Sequence, residues 1–450
     1  MRIIVDTALN TGAAEYSNLG DVSMLQVSVT RLRKLWPLAS IEVLTESPAN
    51  LATFCPNAKP LPRPGRDLWI GGNAMLGGFE RSLPPAISAG FSRISRALRL
   101  HCPAVFRRLM YVRLGIRDRR NVRPELDAFL EAMKHADLFV VCGAGGFTDA
   151  TRDWSMSTLN TVEEAIQRQV PVAMFGQGLG PLTDVYVQRR ARRVLPKVSL
   201  LSLRGAQGGQ ALAQKFGINP PQLVITGDEA IELAYEARAQ HPGEAVGINI
   251  RVASYSNVDQ EMVDLARPVF QDFARRRKVP LVPIPIAFHA WANDHLTIKR
   301  LLEGFDDRSD GGVTLDTPLK VIKQTGRCRF VVAGAYHAAV FALSQGISVI
   351  GLSASDDYTA KFLGLKEQFG VGCELVLLNK LDAWAKLALA MNEMWKLADT
   401  FRPSLLAAAD RQIESSRRAY AQVKESLSCH TNGRHEQSSR FGRTVFTSEI

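Results

Sequence analysis

A histidine follows a short apolar strand and its turn in VVAGAYHAAV, residues 331–340. The strand turns at Ala333-Gly334-Ala335 and delivers His337 to the first turn of the following helix. Open α/β sheets gather their ligands at the carboxyl ends of strands, so a histidine here can act as an acid, a base or an anion contact. The competing reading is a helix-start histidine satisfied by a nearby carbonyl. Other polar residues recur at comparable positions. NLGD opens the first helix with Asn18 and Asp21, and Asp21 and Ser23 can also serve only as helix caps. GAGGFTD brings glycines at 143, 145 and 146, where a glycine-rich turn lets backbone amides approach an anion. GQGLGP, with Gln177, follows the same logic. SLRG presents Arg204, whose planar fork suits carboxylate or phosphate, or a salt bridge at a domain surface. Asp228 ends a further strand-and-turn, QLVITGD. Singly these are weak signals; together, at strand ends, they build one cleft lined by amides and a cation. GAGGFTD lacks the GxGxxG placement and ribose-binding acid of a dinucleotide site.

These residues need a frame to hold them. Apolar strands at Arg2–Val5 and Ile41–Glu46 flank a helix-like stretch, Val22–Leu35, and the alternation resumes from Leu126. Residues from about 56 to 90 are rich in Pro, Gly and polar side chains and read as loops. Polar AYEARAQHPGEA reads as a linker near 235–245, after which strand and helix alternate again. The pattern predicts an α/β protein of two Rossmann-like domains facing across a cleft: 1–235, 245–390, C-terminal helices over 391–425 and a disordered tail over 426–450. The C-terminal helical segments are Trp384–Lys396 and Leu405–Lys424.

The chain has 450 residues, 46% hydrophobic and 22% charged, a balance that excludes wholesale disorder. Its formal net charge of +11 favours anionic partners. The densest charge lies in residues 93–120, with nine arginines against Asp118 alone. With so few acids nearby, this stretch is expected at the surface, as a solvated face or as a peripheral contact with anionic membrane. No helix-turn-helix, finger or aromatic-laced patch points to nucleic acid. Six scattered cysteines lack metal-ligand spacing, no cofactor or metal is called for, and neither a signal-peptide core nor a bilayer-length apolar run is present. A cytoplasmic protein, peripheral at most on the inner face of the membrane, is the expectation.

The order of the motifs resembles the polysaccharide pyruvyl transferase family. The matching pieces are NLGD, ADLFVVCGAGGFTD (136–149), FGQGLGPL (175–182), LSLRG (201–205), GDEAIEL (227–233), VGINIR (246–251), VPIPIAFHAWAND (282–294) and the block from Phe330 to Phe362. They cover roughly residues 1–370. The resemblance implies a fold similar to GT-B glycosyltransferases and transfer of the pyruvyl group of phosphoenolpyruvate onto a sugar of a bacterial surface polysaccharide, as a ketal bridging two hydroxyls. It implies a glycan or lipid-linked sugar acceptor, His337 in a functional role, and anion contacts from Arg204. Two departures stand out. The family's R-x-H motif has Ala335 in place of Arg, and its R-D pair is Arg204-Gly205 here. Arg251 and Lys361 are the candidates to replace the lost cation. The alternatives are a GT-B-like glycosyltransferase using a nucleotide-sugar and a non-catalytic family member that binds a glycan.

Overall fold

The computed structural model describes residues 1–7, 16–71, 84–117, 122–241 and 243–441. Fifteen strands are defined among them: β1 (Arg2–Asp6), β2 (Ser40–Thr45), β3 (Lys59–Pro62), β4 (Leu138–Val141), β5 (Ala144–Phe147), β6 (Val172–Leu179), β7 (Leu200–Leu203), β8 (Leu223–Ile225), β9 (Ala245–Asn249), β10 (Leu281–Pro283), β11 (Phe288–His289), β12 (Ala292–Asn293), β13 (Cys328–Ala333), β14 (Ser348–Ser353) and β15 (Cys373–Leu377). Two parallel sheets result. The first runs β3-β2-β1-β4-β6-β7-β8, with β5 beside β6, and the second runs β10-β9-β13-β14-β15. Strands covered on both faces must be apolar throughout, which is why LFVV of β4 and FVVA of β13 are wholly buried. Each sheet reverses its winding once, between β1 and β4 and between β9 and β13. Crevices open at such reversals.

Several local expectations change. The stretch 56–90 contains β3 and the helix Arg63–Ile70, and a further helix starts at Pro85. The prolines of KPLP are compatible with pairing because β3 is the edge of its sheet, where missing N–H groups face outward. The glycine-rich turn at 143–146 is largely strand: Ala144–Phe147 pairs with β6. The C-terminal segments are one helix, Ala383–Phe441, with Pro403 inside it. It continues through the region expected to be a tail; residues 442–450 lie outside the described residues.

That terminal helix joins the two halves. It packs on β13, β14 and β15 of the second sheet and on β6, β7 and β8 of the first. One apolar cluster runs from Ile3 and Val5 through Ala338, Ala339 and Phe341 to Leu405, Ile413 and Val423.

The arginine-rich stretch forms two helices, Pro85–His101 and Pro103–Arg117; residues 118–121 lie outside the described residues. The expectation of a surface stretch is corrected in part, since Arg99 is not at the surface. Arg99 is buried and paired with Glu164, Arg96 makes a two-pronged contact with Glu163, and Arg107 pairs with Asp127. The acids come from helices Arg123–Lys134 and Arg152–Gln167, far along the chain, so counting acids within the stretch missed them.

Candidate functional site

The two winding reversals face one another across a cleft of about 720 Å³. Asn18, Asp21, Gly145, Gly146, Arg204, Arg251, His337 and Lys361 all line it.

Its first wall begins where helix Leu19–Leu35 leaves β1. The Asn18 side chain caps that helix by accepting from the Gly20 amide at 3.1 Å, leaving Asp21 in the first turn. The Asp21 carboxyl makes no hydrogen bond among the described residues. Burial pushes its carboxyl above the usual range; His337 opposes the shift and the neighbouring Asp228 adds to it. Gly20 is obligatory: a Cβ there would sit 2.0 Å from Nδ1 of His337. The histidine ring therefore lies directly on the backbone of NLGD.

The second wall comes from the end of β13. Gly334 lets that strand's end approach the backbone of Arg251, where a Cβ would meet the Arg251 nitrogen at 2.7 Å. Helix Tyr336–Ser344 begins immediately afterwards and carries His337, which is 7% exposed. Nε2 of His337 lies 3.6 Å from Oδ2 of Asp228, an ion-pair rather than a hydrogen-bond distance. Asp228 reaches this point because its Oδ1 accepts from the Ala230 amide at 2.9 Å, which fixes the turn into the next helix. Burial alone would raise the Asp228 carboxyl; His337, Arg204 and that amide outweigh burial and hold it below the usual range.

Arg204 completes the centre. Its Nη1 is 3.5 Å from Asp228 Oδ2, and its guanidinium lies 4.2 Å above the Tyr336 ring. A Cβ on Gly145 would meet Arg204 Nη2 at 2.7 Å, and one on Gly178 would meet it at 3.0 Å. The glycines are thus needed to admit the guanidinium as well as a ligand. Gly143 has a structural task, its amide donating to the buried Glu229 carboxylate at 3.1 Å. Gly146 makes room for Trp154.

The other sequence candidates separate. Gln177 is buried, and its Nε2 donates to the carbonyls of Val141, Cys142 and Phe175. It clamps β4 to β6 instead of reaching into the main cleft. Arg251 lines the cleft but is gripped by Asp294 through two contacts of 2.6 and 2.8 Å. Asp294 in turn accepts from Asn249 and from the Ile286 and Ala287 amides. Lys361 pairs with Asp357 at 2.5 Å; burial lowers its ammonium from the ordinary range and Asp357 opposes this.

Sequence reasoning passed over Tyr255, His289, Trp291, Tyr336, Asp357 and Tyr358, all in the cleft lining. Tyr336 and Trp291 lie within quoted motifs, but adjacency to a histidine or a strand end does not reveal which ring faces the cavity. Among the described residues no helix is long and apolar enough to cross a membrane.

The family model for polysaccharide pyruvyl transferase matches residues 18–356. No curated protein matches the chain. Among solved structures it is similar to a glycosyltransferase from Rickettsia africae ESF-5, at 10% identity over 95% of this chain and 98% of that one, with a TM-score of 0.51. It is similar to S. aureus MnaA in a co-structure with UDP, at 13% identity over 95% and 96%, with a TM-score of 0.51. A UDP-GlcNAc 2-epimerase from Neisseria meningitidis, bound to UDP-GlcNAc, shares 11% identity over 92% and 99%, with a TM-score of 0.50. These likenesses establish the fold: two Rossmann-like halves of the GT-B type.

Proposed function

Because the chain belongs to the polysaccharide pyruvyl transferase family, we propose that its cleft moves the pyruvyl group of phosphoenolpyruvate onto two hydroxyls of a glycan sugar. The observation that carries this reading is the position of His337 between two carboxyls of opposite character. Asp21 is pushed toward its protonated form, and Asp228 is held ionised. Environments that drive two titratable groups apart divide the work of acid and base.

In this mechanism Asp21 gives its proton to the methylene carbon of phosphoenolpyruvate, and the adjacent carbon becomes electrophilic. A sugar hydroxyl attacks that carbon and passes its proton to His337, whose charged form Asp228 stabilises. The carbon–oxygen bond to phosphate breaks, and the departing phosphate takes the proton from His337. The second hydroxyl closes the ketal and returns a proton to Asp21. Atoms and charge balance, and both groups end as they began. Arg204, Lys361 and the amide end of helix Tyr336–Ser344 supply the positive field that the donor's carboxylate and phosphate require.

A nucleotide-sugar donor is the second reading, favoured by Ala335 and by the UDP and UDP-GlcNAc in the similar structures. A thermal-shift comparison separates the two. A ligand at a hundredfold excess over its Kd stabilises the folded state by about 2.7 kcal/mol. Phosphoenolpyruvate should raise the Tm and UDP-GlcNAc should not, and phosphate release should require a glycan acceptor. Ala335→Arg should strengthen the phosphoenolpyruvate response. A response to UDP-GlcNAc alone overturns the reading, and no response to either favours a non-catalytic glycan binder.

The acceptor in this reading is lipid-linked, and the protein works peripherally on an anionic membrane face. Residues 84–117 contain no acid. Helix Pro85–His101 exposes Ile87, Phe91 and Ile94, and helix Pro103–Arg117 exposes Val105, Leu109 and Val112, both at i, i+4, i+7 spacing, with Arg93 and Arg108 also exposed. Such faces suit the headgroup boundary. Flotation with phosphatidylglycerol vesicles should carry the wild type upward and leave a Phe91→Asp, Leu109→Asp variant behind. Equal flotation of both removes the membrane from the proposal.

A further inference from the structure

Trp291 is 56% exposed, yet it stands in the wall of the cleft that holds His337. It sits in the tight connection between β11 and β12, an antiparallel pair of two-residue strands. That hairpin is rigidly held. The Phe288 amide donates to the Ser17 carbonyl at 2.8 Å, the Leu19 amide donates to the Ile286 carbonyl at 2.9 Å, and the Asp294 carboxylate gathers the Ile286 and Ala287 amides. The same contacts tie the hairpin to NLGD, on which the His337 ring rests.

The indole does not stand alone. His289, itself buried, stacks against it with ring centroids 4.5 Å apart and planes 9° from parallel. Burial, aided by the charge of Arg251, pulls the His289 imidazole down to about 4, so the ring under the indole is neutral near physiological pH. Tyr255 meets the indole edge-on at 6.1 Å and stacks on Tyr358 at 5.9 Å. The result is a supported aromatic wall with one face left to solvent, presented beside an anion-binding centre. A three-carbon donor fills only part of a cleft of about 720 Å³.

We propose that this wall is the acceptor subsite, with the Trp291 indole stacking on the apolar face of a pyranose ring. The proposal rests on the pyruvyl-transfer reading for the identity of the second substrate. A pyranose has one face of polarised C–H bonds and a rim of hydroxyls. The C–H face matches the negative face of the indole, and the rim hydroxyls match polar groups of the same cleft, with the Tyr255 hydroxyl and the Asp357 carboxylate in its lining. A ring seated on this wall has its hydroxyls directed into the cleft shared with His337 and Asp21.

Saturation-transfer NMR on the full chain tests this, with methyl β-glucoside, methyl β-galactoside and methyl β-mannoside as sugar probes and UDP as the comparison. At least one glycoside should receive saturation on its ring C–H protons. Trp291→Ala should weaken that signal about tenfold, the loss of one aromatic stacking contact, while Trp291→Phe keeps most of it. The phosphoenolpyruvate thermal shift should be the same in all three proteins. A glycoside signal indifferent to Trp291→Ala overturns the subsite, as does the lack of any glycoside signal in the wild type. Saturation of the uracil protons alone, dependent on Trp291, overturns it in favour of a nucleotide. Loss of the donor response with a Trp291-dependent sugar signal leaves the subsite standing and removes the donor reading. An intact donor response with a sugar signal indifferent to Trp291→Ala does the reverse.

Discussion

His337→Gln should lower pyruvyl transfer by about 10²- to 10⁴-fold, the usual contribution of a positioned acid–base group, with little change in Tm. Glutamine keeps polar bulk against Gly20 and can still donate toward Asp228, so packing survives, but it cannot relay a proton. Asp21→Asn is the informative companion. It should abolish transfer because the methylene carbon loses its proton source, yet it should raise the Tm near neutral pH. The sign comes from burial. The folded state holds the Asp21 carboxyl above its unfolded value, so stability is greatest at low pH and falls as pH rises from the unfolded value through the raised folded one. An amide carries no charge to desolvate and escapes that cost. Transfer rates, with Tm measured from pH 5 to 8, check both variants. A His337→Gln enzyme with wild-type turnover makes the histidine structural, and an Asp21→Asn protein that melts lower removes Asp21 as the buried acid.

The largest effect on stability should come from Arg31→Leu, remote from the cleft. Arg31 lies among buried groups: its Nε is 2.6 Å from Glu232, its Nη1 is 3.6 Å from Glu229, and its Nη1 also donates to Ser416 of the terminal helix at 2.5 Å. Removing one partner of a buried ion pair costs about 3–5 kcal/mol, because the other charge is left without compensation. Burial raises the Glu229 carboxyl and Arg31 opposes the rise. The variant should therefore lose more stability at pH 8 than at pH 5, since a raised carboxyl destabilises the fold once it ionises. Adding Glu229→Gln should restore part of the loss. Thermal melting at the two pH values is the measurement, and a loss below about 1 kcal/mol contradicts the network's role.

The strand ends were readable because a doubly covered parallel strand is a short apolar run, and the chain must turn once such a run is complete. That logic alone brings Asp21, Arg204, Asp228 and His337 to the carboxyl edges of two sheets. The residues it misjudges share a common cause. Gln177 and Arg251 look available because the partners that hold them, the Val141 and Cys142 carbonyls and Asp294, are remote in sequence. Arg96 and Arg99 looked unpaired because Glu163 and Glu164 lie on another helix. The glycines at 143–146 read as a turn because a strand of AGGF has almost no β propensity; pairing with β6 and the demand of Arg204 for space decide its conformation. Local pattern gives the frame, and long-range pairing decides which polar groups remain for a ligand.

The terminal helix carries a consequence for synthesis. Tyr420 stacks on Phe175 of β6 at 3.6 Å, donates to the Glu229 carboxylate and shares a hydrogen bond with Ser28, while Ser415 donates to the Ile225 carbonyl of β8. Domains ordinarily fold in order as they leave the ribosome. Here the first sheet emerges with the site of Tyr420 uncovered, its Phe175 face wet and Glu229 and Glu232 lacking Arg417 and Tyr420. The half of the protein translated first must wait, incompletely sealed, until the chain beyond Val423 has been made. A nascent chain stalled between the two sheets would expose an apolar, carboxylate-bearing seam to chaperones, and only translation of the last helix would close it.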